Sequence, residues 1–119
     1  MKNAYTIKVA PSLLAADFSC VSSEIKRAEE SGADMLHIDV MDGHFVKNIT
    51  LGPFIVKVIR KNTRLPLVCH LMIENPGDYI KDFAVAGADM IVFHIETVKN
   101  PISLIRAIRR LKKRQEPMF

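Results

Sequence analysis

Tryptophan is absent from this chain, and cysteine nearly so, with two in 119 residues. Cys20 and Cys69 lie far apart and form no CxxC pair, which argues against a disulfide-framed scaffold or a thiolate metal knuckle and leaves free thiols as the expectation. No apolar run approaches the roughly 20 residues that span a bilayer, and Met1 to Ala10 lacks the continuous apolar core of a secretory signal. A cytoplasmic location without a membrane partner is therefore expected. Aromatic residues are sparse at 7%, and none interleaves with the one cationic cluster, Arg106, Arg109, Arg110, Lys112, Lys113 and Arg114. That cluster outweighs the whole net charge of +4. Cations at a helix end suit the negative pole of its dipole. Without rings to stack on bases, no nucleic-acid partner is expected.

What is present reads as a soluble globular chain, 49% hydrophobic and 25% charged, with length for one core and hence a single domain over residues 1–119. Short apolar runs at Ile7 to Ala10, Met35 to Val40, Leu67 to Leu71 and Met90 to Ile95 predict strands. A helical pattern follows each. Phe18, Val21, Ile25 and Ala28 make the first stripe, closed by Gly32. Ile55, Val56, Val58 and Ile59 follow Pro53 in the second. Asn75-Pro76 and Asn100-Pro101 read as cap and first residue of the third and fourth, whose stripes are Tyr79, Ile80, Phe83, Ala84 and Leu104, Ile105, Ile108, Leu111.

Strands joined through helices imply parallel pairing, so the fold class is α/β. The tetrapeptide GADM occurs at Gly32 to Met35 and again at Gly87 to Met90, 55 positions later. Each copy runs from a helix stop into a strand, as a (β/α)8 barrel built from similar quarters would show; a doubly wound sheet remains the alternative. Eight units need roughly 200 to 250 residues. The expectation is thus about four βα units, a half barrel, and the terminal LKKRQEPMF offers no fifth strand.

Alternation along the second strand puts His37, Asp39 and Met41 on one face and Ile38 and Val40 on the other. Aliphatic residues can pack on helices, leaving the polar set to face the barrel interior at the strand end where active sites of this architecture lie. In CHLM the same parity pairs His70 with Met72 and sends Cys69 to the opposite face. Shifting by the repeat aligns Asp39 with His94 and Met41 with Glu96, on the same inward face. Two imidazoles and a carboxylate suit a divalent transition metal with positions left open. Asp42, Gly43 and His44 lie past the strand in a turn, where Asp42 could cap the turn or touch substrate and His44 is expected to be exposed. Met41 and Met72 could be core filler or an apolar lining over the reacting atoms.

The segments APSLLAADF, GADMLHIDVMDGHFVKN, HLMIENP and GADMIVFHIE resemble the ribulose-phosphate 3-epimerase family, TIM barrels of the ribulose-phosphate-binding group, from Ala10 to about Leu111. The resemblance implies metal-assisted interconversion of D-ribulose 5-phosphate and D-xylulose 5-phosphate by proton transfer at C3 through an enediolate, a step of carbohydrate metabolism in the pentose phosphate pathway. It implies His37, Asp39 and His70 as ligands of a divalent cation (Zn, Fe, Mn or Co) and Asp39 as a catalytic acid/base. Ser12 and His70 would contact the substrate, with Met41 and Met72 lining its pocket. A pentulose 5-phosphate is the implied partner. The second acid, also a metal ligand, and the phosphate-binding loops belong by the same resemblance to later strands of the barrel. Lys47 stands where the family has Pro in HFVPN, which bears on the stiffness of that loop.

An isolated half would leave strand edges and inward faces uncovered, so homo-oligomers or association through the exposed barrel edges are expected. Two function classes stand side by side. One is an isomerase, working as a piece of an interrupted protein or as a symmetric pair. The other is a non-catalytic remnant or interaction module. Within the first, epimerisation of a related ketose phosphate such as allulose 6-phosphate is the alternative substrate.

Overall fold

Leu36, Ile38 and Val40 alternate with His37, Asp39 and Met41, and the two sets separate across one strand: the first is buried, the second only partly so. The computed structural model describes residues 6–114, with side chains as far as residue 111. The strands are β1 (Leu36–Asp42), β2 (Ile49–Thr50), β3 (Leu67–Met72) and β4 (Met90–Phe93). The helices are α1 (Val21–Glu30), α2 (Pro53–Asn62), α3 (Ile80–Ala86) and α4 (Pro101–Arg114). In the sheet the order is β2-β1-β3-β4, with β1, β3 and β4 mutually parallel. Neighbouring helices touch in chain order, α1 on α2, α2 on α3 and α3 on α4.

The core lies between sheet and helices. Ile25, Val56, Ile59, Phe83, Leu104 and Ile108 from the helices meet Leu36, Ile38, Leu67, Cys69 and Leu71 from the strands. Each large side chain so buried stabilises the fold by about 1.5–3 kcal/mol. Pro53 opens α2 at its first turn, and the Asn100 Oδ1 accepts the Ser103 N–H at 3.1 Å to cap α4.

Three expectations about the elements need correction. Ile7 to Ala10 does not form a ladder strand. The Val9 carbonyl accepts from the N–H groups of Asp34 and Met35 and the Pro11 carbonyl from His37, with one parallel bridge between Ser12 and His37. Pro11 has no N–H to return, and Ser12 then caps a 3-10 turn through a 3.1 Å bond from the Leu14 N–H. The third helix begins at Ile80 rather than Pro76, because Pro76–Asp78 winds as a 3-10 turn and leaves Tyr79 exposed. The last strand ends at Phe93, and Ile95–Thr97 is again a 3-10 turn.

The repeated GADM has a physical basis in both copies. Gly32 (φ +94°) and Gly87 (φ +122°) take left-handed backbone at the helix end. The following Ala N–H reaches back to a helical carbonyl, Ala33 to Ala28 at 3.1 Å and Ala88 to Phe83 at 3.0 Å. The aspartate then bonds the backbone of the preceding chain segment. Asp34 Oδ2 accepts the Val9 N–H at 2.7 Å, and Asp89 Oδ2 accepts the Leu67 N–H at 2.8 Å. In return the Asp34 and Asp89 N–H groups donate to the Val9 and Leu67 carbonyls, both at 2.9 Å. The second copy alone recruits Arg60, whose guanidinium bonds Asp89, Gly87, Thr63 and Leu65. A Cβ on Gly87 would fall 2.5 Å from the Arg60 side chain, whereas one on Gly32 would meet nothing.

Candidate functional site

The parallel register sets Asp39 of β1 beside His70 of β3, and Met41 beside Met72 one step further along the inward face. His37 stands on that face two residues before Asp39. Its Nε2 is 3.1 Å from Asp39 Oδ1, and His70 Nδ1 approaches the same oxygen at 3.3 Å. The other oxygen, Oδ2, accepts a 2.5 Å hydrogen bond from the Ser12 hydroxyl. Ser12 reaches it because the Ser12–His37 bridge brings the end of the N-terminal segment beside β1. The structure therefore assembles Ser12, His37, Asp39 and His70 around one carboxylate. Met41 and Met72, both partly buried, lie together on the adjoining stretch.

Burial by itself pushes the Asp39 carboxyl up. The Ser12 hydroxyl, the charge of His37 and hydrogen bonds with His70 and His37 outweigh it and hold the group below the ordinary carboxylate range. Asp39 thus stays ionised with its two oxygens in different surroundings. One nitrogen from each of His37 and His70 and one Asp39 oxygen all lie within 4.8 Å of one another. Two imidazoles converging on one carboxylate oxygen make a donor set that fits a borderline divalent cation with open positions for other ligands.

Two residues outside the expected set complete the surroundings. The Thr50 hydroxyl donates to the Asp39 carbonyl at 2.7 Å and ties the two-residue β2 to the end of β1. Such a short antiparallel strand has no periodicity for a sequence reading to detect. The second is His94, whose Nε2 lies 2.7 Å from His70 Nε2. Its place was signalled by the 55-residue shift that aligns it with Asp39. Glu96, aligned with Met41 by the same shift, sits in the turn after β4 with Oε1 3.7 Å from His94 Nδ1. Phe45 leans on the His94 ring at a centroid distance of 5.1 Å.

Beyond the strand, Asp42 caps the turn rather than joining the carboxylate set. It accepts the N–H groups of His44 and Phe45 at 2.8 and 2.9 Å, and that of Glu74 from the loop after β3 at 2.8 Å. Gly43 takes φ +79°, and a Cβ there would fall 2.9 Å from Ile49. His44 and Lys47 are exposed in the same loop. Cys69 is fully buried on the helix side of β3. Burial, with the Asp89 charge, pushes its thiol up to about 12, so it offers no thiolate to the cluster.

Residues 8–116 match the model of a family described as the Ribulose-phosphate 3 epimerase family. The chain is 55% identical to the Ribulose-phosphate 3-epimerase of Bacillus subtilis over 107 residues, 90% of this chain and 48% of that protein. It is 56% identical to the Ribulose-phosphate 3-epimerase of Synechocystis over 95 residues, covering 80% and 41%. To the Ribulose-phosphate 3-epimerase, cytoplasmic isoform, of Oryza sativa it is 46% identical over 110 residues, covering 92% and 48%. The chain spans about half the length of the curated relatives it matches. Its four helices and mostly parallel four-stranded sheet are, accordingly, about half of a TIM barrel. On the match across 8–116, and on these identities, the chain belongs to the ribulose-phosphate 3-epimerase family.

Proposed function

We propose that this chain carries one side of an active site that interconverts D-ribulose 5-phosphate and D-xylulose 5-phosphate by moving the proton on C3. The observation that carries the reading is the convergence of Ser12, His37, Asp39 and His70 near the carboxyl ends of adjacent strands in a chain of this family. His37, Asp39 and His70 would hold a divalent cation (Zn, Fe, Mn or Co). When bound, it supplies charge stabilisation to the enediolate that forms as the proton leaves.

Asp39 is the residue that takes the C3 proton. It is ionised, and the Ser12 hydroxyl fixes one of its oxygens while the other faces the imidazoles. Ser12 orients the substrate oxygens, the ring of His70 packs against the substrate, and Met41 with Met72 keeps water from the reacting carbon. Inversion also needs an acid on the opposite face. Among the described residues Asp42 is engaged with three backbone N–H groups, and Glu96 lies in the turn after β4 with most of its side chain exposed. That placement favours a second reading, in which the chain binds its ligands without completing turnover alone.

Nuclear magnetic resonance of ribulose 5-phosphate in D2O, beside a coupled assay for xylulose 5-phosphate, tests both. Deuterium at C3 without product marks one-sided chemistry, and full turnover marks the complete enzyme; either should vanish in Asp39→Asn. Neither signal, with or without added Zn2+ or Mn2+, overturns the proposal.

A cytoplasmic setting is part of the same reading. The rice relative is named a cytoplasmic isoform, and among the described residues no helix is long and apolar enough to cross a membrane. Self-association through a second copy is the accompanying proposal, supported by Val92, which stands 44% exposed on the inward side of β4 in register with His70. Light scattering that finds only monomer across a wide concentration range would remove it.

A further inference from the structure

His70 is held at both ring nitrogens. Nδ1 faces Asp39 Oδ1 at 3.3 Å, and Nε2 faces His94 Nε2 at 2.7 Å. The His70 and His94 centroids are 4.9 Å apart with only 25° between the planes, the spacing of two imidazoles joined end to end through that bond. A neutral imidazole has one N–H and one lone pair. For His70 to direct its Nδ1 lone pair toward a cation beside Asp39, its proton must sit on Nε2, where it can only be given to His94. His94 Nε2 is then the acceptor, and the His94 proton lies on Nδ1, toward Glu96 Oε1 at 3.7 Å. With a cation seated between His70 Nδ1 and Asp39, this assignment gives the His70–His94 bond one donor and one acceptor; without a cation, His70 Nδ1–H would instead donate to the Asp39 carboxylate.

We propose that His94 is a positioning residue: it accepts the Nε2 proton of His70, and thereby fixes the tautomer and ring orientation that leave His70 Nδ1 free to bind a metal ion. The inference rests on the metal-holding role given above to His37, Asp39 and His70. Its physical parallel is general, since a ligating histidine commonly gives its second N–H to a fixed acceptor, and loss of that acceptor weakens metal affinity about 10–100-fold. Phe45, tilted against the His94 ring at 5.1 Å, restricts the ring from turning away. The repeat places His94 at the position that Asp39 holds in the first GADM unit, so the two copies contribute a carboxylate and an acceptor imidazole to opposite sides of His70.

Two variants of similar volume test this on the full chain. His94→Gln keeps an acceptor oxygen, and His94→Met removes it. Two readouts are independent of turnover: the His70 Nε2–H proton resonance with Zn2+ bound, and Co2+ binding followed by its visible absorption. The parent and His94→Gln should show a hydrogen-bonded, slowly exchanging His70 Nε2–H proton and similar Co2+ affinity. In His94→Met that proton should lose its hydrogen-bonded shift and exchange freely with water, and affinity should fall about 10–100-fold. An unchanged Nε2–H resonance and an affinity within about twofold of the parent in His94→Met overturn the inference while leaving the metal-holding role intact. No Co2+ binding by the parent itself overturns both.

Discussion

Asp89 Oδ2 lies 2.8 Å from Arg60 Nη1 and 2.8 Å from the Leu67 backbone nitrogen, so one oxygen joins α2 to the starts of two strands. Asp89 is only 4% exposed. Its charge is tolerable there because the guanidinium and a backbone donor both point at it.

Arg60→Met keeps the side-chain stem and removes the fork. Stranding a buried carboxylate costs about 3–5 kcal/mol, and the partial exposure of Arg60 puts the expected loss near 3. The Thr63 and Leu65 carbonyls lose their donor as well. Urea unfolding measures the change. A loss under about 1 kcal/mol would show that water replaces the pair without penalty.

The two thiols should behave oppositely. Cys20 is exposed, whereas Cys69 is buried with its thiol pushed up to about 12 by burial and by the Asp89 charge. At neutral pH an alkylating reagent should modify Cys20 alone in the folded chain and both residues in denaturant. Labelling of Cys69 under native conditions, read by mass spectrometry, would show that β3 opens far more readily than its packing implies.

Asp42 sets an acid limit on the loops around the site. Burial would raise its carboxyl, but the N–H groups of Glu74, His44 and Phe45, with the His44 charge, bring it below the ordinary 3.8. Since the folded value lies below the unfolded one, the stabilisation is present above 3.8 and is lost as pH falls through the folded value. Asp42→Asn removes this titration. Stability of the parent should therefore decline more steeply than that of the variant on acidification below 3.8, and parallel declines would refute the assignment.

Much of this arrangement is legible in the residues because burial imposes a period. Leu36, Ile38 and Val40 point to the helices, and that alternation places His37, Asp39 and Met41 together without further information. Where no period exists, legibility ends. Ile49–Thr50 is too short to announce itself, and Ile7 to Ala10 reads as a strand until Pro11 withholds the donor that a ladder needs. Arg60 and Asp89 meet only through the packing of α2 beside the end of α3, and neither residue hints at the other locally. His94 lies between these cases. Its inward face follows from the repeat, but its 2.7 Å approach to His70 depends on the placement of β4 and the turn after it.

The paired bonds of Asp34 and Asp89 have a consequence at the far end of the sheet. Parallel strands lack hairpins to set their alignment, and a slip of one residue would exchange the two faces of a strand. Asp39 would then be thrust among Ile25, Val56 and Ile59, and Val40 would take its place opposite His70. Each aspartate accepts from and donates to a single residue of the neighbouring segment, a two-point clamp that only one alignment satisfies. The residue cluster at the carboxyl ends is thus indexed by carboxylates that never touch it, and Asp34→Asn or Asp89→Asn would blur the cluster by sliding strands rather than by altering any group within it.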